Sequence, residues 1–269
     1  MSAVIDLLKQ PVRSVLRLPG VRHWLYRLHE YRLANASSDW PKTDGSGVPL
    51  PSAYLMQTVV GHSDWRKFLE HGRETAQVIA DIVTRNGKPF KEAHRLLDLG
   101  CGCGRVIRFM PDLTKAELHG ADYNGRLLAW CRANLTGHFK RNKLLPPLPY
   151  GSVEFDVIYL LSVFTHLRLA SQRLWLAEFA RVVSPGGIVV ITFHDEDYVE
   201  LIAEPVDREA LARDGFTIRN DFSEGSNAMA SFQTRALMEE ICREHFDVCE
   251  IVGTHKSELQ QAYAVLRRR

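Results

Sequence analysis

The stretch Arg95-Leu-Leu-Asp-Leu-Gly-Cys-Gly-Cys-Gly-Arg-Val-Ile-Arg-Phe-Met110 decides the fold of this 269-residue chain. Its largely apolar beginning runs into three glycines at alternate positions, Gly100, Gly102 and Gly104. An amphipathic segment with Val106, Ile107 and Met110 on one face follows at once. This order predicts a buried strand, a tight glycine turn and the start of a helix. Glycine allows positive φ and close approach of a ligand, and the free N–H groups of a helix start suit an anionic or electron-rich group.

Two acids accompany the glycine turn. Asp98 lies at the end of the first strand, where its carboxylate can accept hydrogen bonds or meet a cationic ligand group. Asp122 follows a second predicted strand, Ala116 to Ala121, and an acid about 20 residues after such a turn can receive two ribose hydroxyls. The alternative role for Asp122 is to cap the next helix, which Asn124 could do equally well.

The pattern D-x-G-x-G-x-G from Asp98 to Gly104 resembles motif I of the class I S-adenosylmethionine-dependent methyltransferases. The resemblance implies that the turn packs against the methionine part of the cofactor and that Asp122 holds its ribose. A dinucleotide-binding turn would read GxGxxG instead. A glycine turn that merely connects a strand to a helix is the alternative for the glycines taken alone.

The resemblance covers residues 72–266 and implies an α/β fold. It is a Rossmann-like, seven-stranded, mostly parallel sheet with a C-terminal antiparallel strand pair, helices on both faces and a helical N-terminal extension. The near-continuous apolar character of Phe155–Leu161 agrees with a strand covered on both faces. The stretch RVVSPGGIVVITFH, residues 181–194, resembles the family's LkPGGxlxi signature, with Ser184 to Gly187 as a turn and a strand over Ile188 to Phe193. The further predicted strands are His138–Asn142, Phe246–Val252 and Gln261–Leu266, and the predicted helices are Gly72–Asn86, Asn124–Leu135, Ala170–Val183 and Arg235–His245.

The predicted organisation has two parts. Residues 1–71 form a helical arm or cap and residues 72–269 form the catalytic domain. Within that domain an insertion, residues 197–234, has one short helix near Arg208 to Arg213 and is expected to act as a substrate lid. Residues 1–35 are basic and amphipathic, so they could lie on an anionic membrane surface or pack as an arm on the domain or on a second subunit, as in a homodimer.

Composition gives few further constraints. The formal net charge is +2 and 45% of residues are hydrophobic, so nothing global demands nucleic acid. No run of about 18 apolar residues predicts a membrane-spanning helix, and the N-terminus does not read as a signal peptide. The five cysteines are scattered and odd in number, which favours free thiols and a cytoplasmic protein. No second ligand pair accompanies Cys101 and Cys103, which therefore do not predict a zinc site.

The resemblance implies S-adenosylmethionine as cofactor and S-adenosylhomocysteine as product. Asn142 lies where the family usually places a polar side chain that reads the adenine amino group, although Asp is the usual residue there. The predicted cofactor-binding residues are Asp98, Gly100, Cys101, Gly102, Gly104, Asp122, Tyr123, Asn124, Asn142, Leu161 and Ser162.

The segment Ser162-Val-Phe-Thr-His-Leu167 follows the fourth strand, at the edge of the sheet where ligands bind. His166 could take a proton from an acceptor hydroxyl or amine, or it could be a capping or packing histidine. His194 and Asp195 form a second candidate base pair, with a solvated acidic loop as the alternative. Catechol-type enzymes place a metal-binding Asp after this strand; Ser162 and Thr165 are poor substitutes, which predicts no metal.

The acceptor is expected to be a small molecule or a glycan, contacted by Tyr54, Trp65, Phe164, Tyr198 and Gln233. Leu145-Pro-Pro-Leu-Pro-Tyr150 departs from the (D/N/S)PP(Y/F/W) motif of amino-methyltransferases, which disfavours a nucleic-acid base. The predicted chemistry is direct in-line attack of a nucleophilic O, N or C on an activated methyl group. Two alternatives are a non-catalytic S-adenosylmethionine-binding scaffold and a nicotinamide-dependent oxidoreductase.

Overall fold

A computed structural model describes residues 41–202, 205–221 and 224–269. The chain divides into two compact units, Met1–Phe68 and Leu69–Arg269. The basic segment 1–35 lies outside the described residues, so the predicted arm, its membrane contact and its role in a homodimer stay predictions. No helix within the described ranges is long and apolar enough to cross a membrane.

The described part of the first unit begins with an isolated bridge between Thr43 and Pro49. Helix α1 spans Ala53–Val60, and the Ser52 side chain caps it by accepting the N–H of Leu55. Helix α2, Trp65–Arg85, begins in this unit and continues into the second.

The second unit contains a seven-stranded sheet in the order β3-β2-β1-β4-β5-β9-β8. Strands β1 to β5 are parallel, whereas β9 runs antiparallel to β5 and β8 runs antiparallel to β9. The strands are β1 Arg95–Leu99, β2 Glu117–Asp122, β3 His138–Arg141, β4 Phe155–Leu160, β5 Val183–Phe193, β6 Phe216–Arg219, β7 Ala230–Gln233, β8 Phe246–Val252 and β9 Ala262–Arg268. The remaining helices are α3 Gly125–Asn134, α4 Leu169–Val182, α5 Glu196–Ile202, α6 Pro205–Asp214 and α7 Arg235–Arg243.

Alternate residues of the central strands pack into two separate core layers, because successive side chains of a strand point to opposite faces. In one layer, Leu97 and Ile158 pack with Phe179 of α4 and Ile241 of α7. The other layer joins Leu96, Val157 and Tyr159 to α2 and α3 through buried residues such as Ile79, Ile82, Leu128 and Cys131. The predicted fold, with helices on both faces of a mostly parallel sheet and an antiparallel C-terminal pair, is confirmed.

Two local features add to or differ from the sequence expectations. The predicted helix after the glycine turn is a six-residue 3₁₀ helix, Ile107–Asp112, and does not continue as an α-helix. Pro111 explains this, because proline lacks an N–H and clashes with the carbonyl four residues earlier. Strand β5 begins at Val183, so residues 184–187 belong to the strand and are not a turn. The register shift between Phe155 and Val157 and the positive φ of Gly186 accommodate them.

The insertion, residues 197–234, is more structured than the sequence predicts. Besides the expected helix near residue 208, it holds the end of α5 and the antiparallel pair β6–β7. Pro205 at the first position of α6 suits a helix start, where a missing N–H costs nothing. The role of the insertion as a substrate lid stays a prediction.

The cysteines differ sharply in exposure. Cys249, on strand β8 at the edge of the sheet, is exposed, whereas Cys101, Cys103, Cys131 and Cys242 are buried. All five are free thiols, as the sequence predicts.

Candidate active site

The glycine turn is tied to the end of β2. The backbone N–H groups of Gly100 and Cys101 both donate to the carbonyl of Ala121, at 2.7 and 3.1 Å. Gly100 and Gly104 have φ values of 77° and 75°, and a Cβ on Gly104 would collide with Leu135. Only glycine fits such positions without strain, so the sequence pattern follows from the geometry of the turn.

Asp122 is buried beside this turn, at 8% exposure. Its Oδ2 accepts the N–H of Gly102 at 2.9 Å and its Oδ1 accepts the N–H of Asn124 at 2.7 Å. Burial raises the pKa of the Asp122 carboxyl, and the two N–H donors act against that rise. Asn124 itself caps α3, because its Oδ1 accepts the N–H of Arg126 at 3.1 Å. Each oxygen of Asp122 keeps a further lone pair that can accept a hydroxyl.

Asn142 follows β3 and adjoins Asp122, whose carbonyl accepts the Asn142 N–H at 3.2 Å. The Nδ2 of Asn142 donates to the carbonyl of Lys143 at 2.7 Å. Its Oδ1 is buried and, among the described residues, finds no hydrogen-bond donor. A buried acceptor without a donor is costly, so this oxygen is a natural site for a ligand N–H.

Asp98 lies deeper, at 3% exposure, and Tyr159 of the neighbouring strand donates its hydroxyl to Oδ2 at 2.8 Å. Burial raises the pKa of this carboxyl to about 7, while the Tyr159 hydrogen bond and the positive charge of Arg105 oppose the rise. The group is therefore poised between its neutral and charged forms near neutral pH.

The turn after β4 is held in place by the neighbouring strands. Ser162 has a positive φ of 55°, its N–H donates to Thr192 Oγ1 at 2.7 Å, and its hydroxyl donates to Gln261 Oε1 at 3.0 Å. Leu161 packs against the core layer that includes Tyr159. Strain at a non-glycine residue is tolerated where surrounding bonds fix the backbone, as they do here.

His166 is fixed by a hydrogen bond from its ring. Its Nδ1 lies 2.6 Å from the carbonyl of Met229, which can only accept, so Nδ1 carries the proton and Nε2 is the free acceptor. Burial lowers the pKa of this imidazole, and the Met229 carbonyl partly offsets the effect. His166 is therefore a neutral base at neutral pH, oriented by a backbone atom.

His194 is packed between aromatic rings. Its ring stacks on Tyr198, with centroids 4.0 Å apart and planes 3° from parallel, and lies 5.4 Å from the ring of Phe232. Burial, with a smaller contribution from His166, lowers the pKa of His194 to about 4. The imidazole is thus neutral, and its packing between aromatic rings favours a role in lining the site.

Asp195 does not form the predicted base pair with His194. Its fully buried carboxylate instead accepts hydrogen bonds from the Thr254 hydroxyl at 2.6 Å, the Thr254 N–H at 3.1 Å, Arg235 at 3.0 Å and the Tyr198 N–H at 3.1 Å. A carboxylate with four donors is committed to joining the insertion to the turn before β9, and this corrects the catalytic expectation for Asp195.

The predicted acceptor contacts separate into different environments. Phe164 is fully buried and stacks with Phe179 at 6.2 Å, so it is a core residue and not a pocket residue. Gln233 is 1% exposed and donates from Nε2 to Met238 Sδ at 2.9 Å. Tyr198 is partly exposed over His194. Tyr54 and Trp65 belong to the first unit, and their contact with an acceptor stays a prediction.

Part of the predicted insertion, Glu224–Met229, connects the residues that follow β2 and β4; we call it the strap. The N–H of Gly225 donates to the carbonyl of His166 at 2.8 Å, and its own carbonyl accepts the Tyr123 hydroxyl at 2.5 Å. The Glu224 carboxylate accepts the N–H of Arg168 at 3.0 Å and the hydroxyl of Ser171 at 2.6 Å. The strap thereby connects the residue after Asp122 with the histidine it orients.

Within the described ranges, no group of three or more His, Cys, Asp or Glu side chains is arranged to hold a metal ion. The expectation of a metal-independent reaction stays a prediction.

Residues 97–191 match the family model described as a methyltransferase domain. The chain is also 28% identical, over 104 residues, to "Methyltransferase GfsG" of Streptomyces halstedii. That alignment covers 36% of this chain and spans only 37% of the relative.

Solved structures share the fold at low sequence identity. An amino pentose methyltransferase from Micromonospora echinaspora, CalS10, solved with S-adenosylmethionine bound, is 18% identical with a TM-score of 0.53, covering 74% of this chain and 92% of its own. Streptomyces venezuelae DesVI is 18% identical with a TM-score of 0.54, covering 75% and 93%. A methyltransferase solved in a complex with the Haloferax volcanii activator Trm112 is 16% identical with a TM-score of 0.56, and the match covers 80% of this chain and 96% of that one.

Residues 97–191 thus match a methyltransferase domain, and the second unit, residues 69–269, has the Rossmann-like fold seen in class I S-adenosylmethionine-dependent methyltransferases. The cofactor of this family is S-adenosylmethionine, and the residues of the turn suit it.

Proposed function

We propose that this protein transfers a methyl group from S-adenosylmethionine to a hydroxyl oxygen, or an amine nitrogen, of a small-molecule or glycan acceptor without a metal ion. The observation that carries the proposal is the neutral, oriented His166 at the same carboxyl edge of the sheet as Asp98 and Asp122. A base at that edge would serve proton removal from an acceptor, beside a turn suited to the methyl donor.

The residues at the glycine turn fit the cofactor. Asp122 would accept both ribose hydroxyls through its remaining lone pairs, and the orphaned Oδ1 of Asn142 would accept the adenine amino group. Asp98 would face the positively charged methionine end. When bound, the cofactor supplies an electrophilic methyl group on a sulfonium sulfur.

The contribution of the protein to the reaction would be alignment, exclusion of water and proton transfer. As the acceptor oxygen attacks, its proton passes to Nε2 of His166. The resulting imidazolium is stabilised through Nδ1–H by the Met229 carbonyl at 2.6 Å. Because His194 is also neutral, it does not repel the positive charge that forms on His166.

One structural relative supports the acceptor class. The structure of CalS10 is described as that of an amino pentose methyltransferase involved in calicheamicin biosynthesis. Tyr198, partly exposed and stacked on His194, is compatible with a ring-shaped acceptor, since aromatic side chains pack well against the apolar faces of such rings.

The first test is calorimetric titration of S-adenosylmethionine, and separately NADH, into the wild type and Asp122→Ala. We expect binding of S-adenosylmethionine alone, weakened at least about 100-fold by the loss of two charge-assisted hydrogen bonds. Asp112→Ala, which removes an exposed carboxylate paired with Arg73, is the matched control and should bind normally. Binding of NADH, or no effect of Asp122→Ala, would refute the cofactor site.

The second test is an acceptor screen read by release of S-adenosylhomocysteine. With an acceptor that turns over, His166→Asn should lower kcat by about 10²- to 10⁴-fold and leave cofactor affinity unchanged. The acid limb of the wild-type rate should have a midpoint below the usual histidine pKa, since burial lowers it. Tight binding of S-adenosylhomocysteine without turnover of any acceptor would favour the scaffold alternative.

A further inference from the structure

Glu224, the first residue of the strap, carries a carboxylate that the proposed reaction does not use. Its side chain is only 10% exposed. Oε1 accepts the N–H of Arg168 at 3.0 Å and the hydroxyl of Ser171 at 2.6 Å, and Oε2 accepts Nη1 of Arg168 at 2.8 Å. Such a carboxylate fixes its segment in one place, because any displacement would leave a largely buried charge without its donors.

All three donors belong to the start of α4. Arg168 is the N-cap residue of this helix, but its own side chain does not cap it. The Glu224 carboxylate supplies the missing acceptor, and its negative charge lies at the positive end of the helix dipole. Arg168 adds a further contact, since its Nε donates to Asp221 Oδ1 at 2.6 Å. These contacts together clasp the strap to α4.

The rest of the strap reaches the candidate base. The N–H of Gly225 donates to the carbonyl of His166 at 2.8 Å, and the carbonyl of Met229 accepts from Nδ1 of the same histidine at 2.6 Å. A turn joins these two contacts, because the N–H of Met229 donates to the carbonyl of Ser226 at 3.0 Å. One short segment therefore holds both the backbone and the ring of His166.

The two nitrogens of a neutral imidazole are distinguished by their partners, because the nitrogen that faces a carbonyl keeps the proton. We infer that Glu224 is a positioning residue: by clasping the strap to α4 it keeps the Met229 carbonyl on Nδ1 and leaves Nε2 of His166 free to accept a proton. This inference rests on the proposed function for the role of His166 as a base. It adds the residue that keeps this base in its active tautomer.

The alternative is that Glu224 only stabilises the start of α4. Met229 is fully buried, and the Ser231 hydroxyl donates to the carbonyl of Phe164 at 2.8 Å, so the end of the strap nearest the His166 ring has anchors of its own. In that case, loss of Glu224 would lower the stability of the protein and leave the ring unchanged. The tautomer of His166 therefore distinguishes the two roles.

The test is heteronuclear NMR of the imidazole nitrogens in the full-length protein, with the His166 signals assigned by their absence from His166→Asn. In the wild type we expect a single neutral tautomer with the proton on Nδ1. Glu224→Ala should give a mixture that includes the tautomer with the proton on Nε2, because the strap no longer holds the carbonyl against the ring.

Glu240→Gln is the matched control. It removes an exposed carboxylate that pairs with Arg173 of α4 at 3.5 Å, and it should leave the tautomer unchanged. Glu224→Gln is a milder variant, which serves if Glu224→Ala does not fold. Its amide oxygen can still accept the N–H of Arg168, but its amide nitrogen cannot accept from the guanidinium, so we expect a smaller fraction of the second tautomer.

Turnover gives a second readout. With an acceptor that is methylated, Glu224→Ala should lower kcat by about 10- to 100-fold, because the base is misaligned, and should change the affinity for S-adenosylmethionine by less than about 3-fold.

A folded Glu224→Ala protein in which His166 keeps its proton on Nδ1 alone would overturn the inference, as would an equal change of tautomer in Glu240→Gln. The proposed function fails by a different result, namely normal turnover by His166→Asn. The NMR measurement needs no acceptor, so it decides whether Glu224 positions the ring even in that case.

Discussion

Asp98 has a charge state that couples folding to ligand binding. Its pKa in the folded protein is about 7, against an ordinary value of 3.8, and the main cause is burial. Between about pH 4 and pH 7 the folded state holds a proton that the unfolded state has released. The unfolding free energy therefore falls as pH rises through this window.

Asp98→Asn should accordingly stabilise the ligand-free protein above pH 7, on the order of a few kcal/mol, and make little difference below pH 4. The amide oxygen can still accept the Tyr159 hydroxyl, so the substitution removes mainly the charge. Thermal melting from pH 4 to pH 8 measures the difference. An equal shift in melting temperature at every pH would contradict the assignment.

Single residues show how far sequence reasoning reaches. The spacing of Asp122 from the turn was enough to expect a ribose contact, and the capping role of Asn124 leaves Asp122 free for it. The orphaned oxygen of Asn142 and the four donors on Asp195 depend on atoms from distant elements, which no local pattern contains. Buried hydrogen-bond partners are therefore the part of the site that the sequence leaves open.

Among the elements, the strap has the largest consequence for the site. It receives the Tyr123 hydroxyl at one end, contacts His166 at the other and anchors Glu224 to the start of α4. Met229 is fully buried at one end of the strap, whereas hydrogen bonds of Glu224 and Gly225 hold the other end, whose local stability therefore depends on them.

Removing the Tyr123 hydroxyl should loosen the strap. For Tyr123→Phe we expect amide hydrogen exchange over residues 224–229 to accelerate about fivefold, which corresponds to the loss of one net hydrogen bond of about 1 kcal/mol. Tyr198→Phe is the control, because its ring stacks on His194 and the stack survives without the hydroxyl. Unchanged exchange in Tyr123→Phe would show that the hydroxyl does not hold the strap.

The sequence predicted element boundaries well where the hydrophobic period and the turn residues agreed, as for β4 and α4. The structure differs from the hydrophobic pattern at two places. Pro111 limits the segment after the glycine turn to a 3₁₀ helix, and a shifted register draws Ser184 to Gly187 into β5. The helices and hairpin of the insertion were underestimated, because polar residues obscure their weak periodicity.

At the scale of the whole molecule, the C-terminal strand β9 is an interior strand on which the sheet depends. β9 lies between β5 and β8 and pairs with both, and its residues from Ala262 to Leu266 are completely buried. The order of strands was predictable only through the family resemblance, since no local signal specifies that the last strand inserts beside the fifth.

Deletion of residues 262–269 should therefore abolish cooperative unfolding of the second unit. The deletion exposes the edge of β5 and the apolar faces that β9 covers. The free-energy cost of that exposure exceeds the usual unfolding free energy of a domain. Deletion of Arg269 alone, which removes hydrogen bonds to Asp247 and Phe246, should cost only about 1 kcal/mol. Circular dichroism on heating measures both, and a cooperative transition in the longer deletion would contradict the prediction.

Because the cysteines differ in burial, the rates at which their thiols are alkylated report on local opening of the native protein. A thiol-alkylating reagent should modify Cys249 within the mixing time, and then slow sharply, because burial both hides the other thiols and raises the pKa of Cys103 and Cys242. Cys101 and Cys103 lie in the glycine turn itself, and Cys131 packs against it by donating to the Gly102 carbonyl at 3.3 Å. The rate of their slow alkylation therefore measures how often that turn opens. Binding of a nucleoside ligand to the turn would slow the alkylation of these three thiols. Mass spectrometry can follow this without any engineered label.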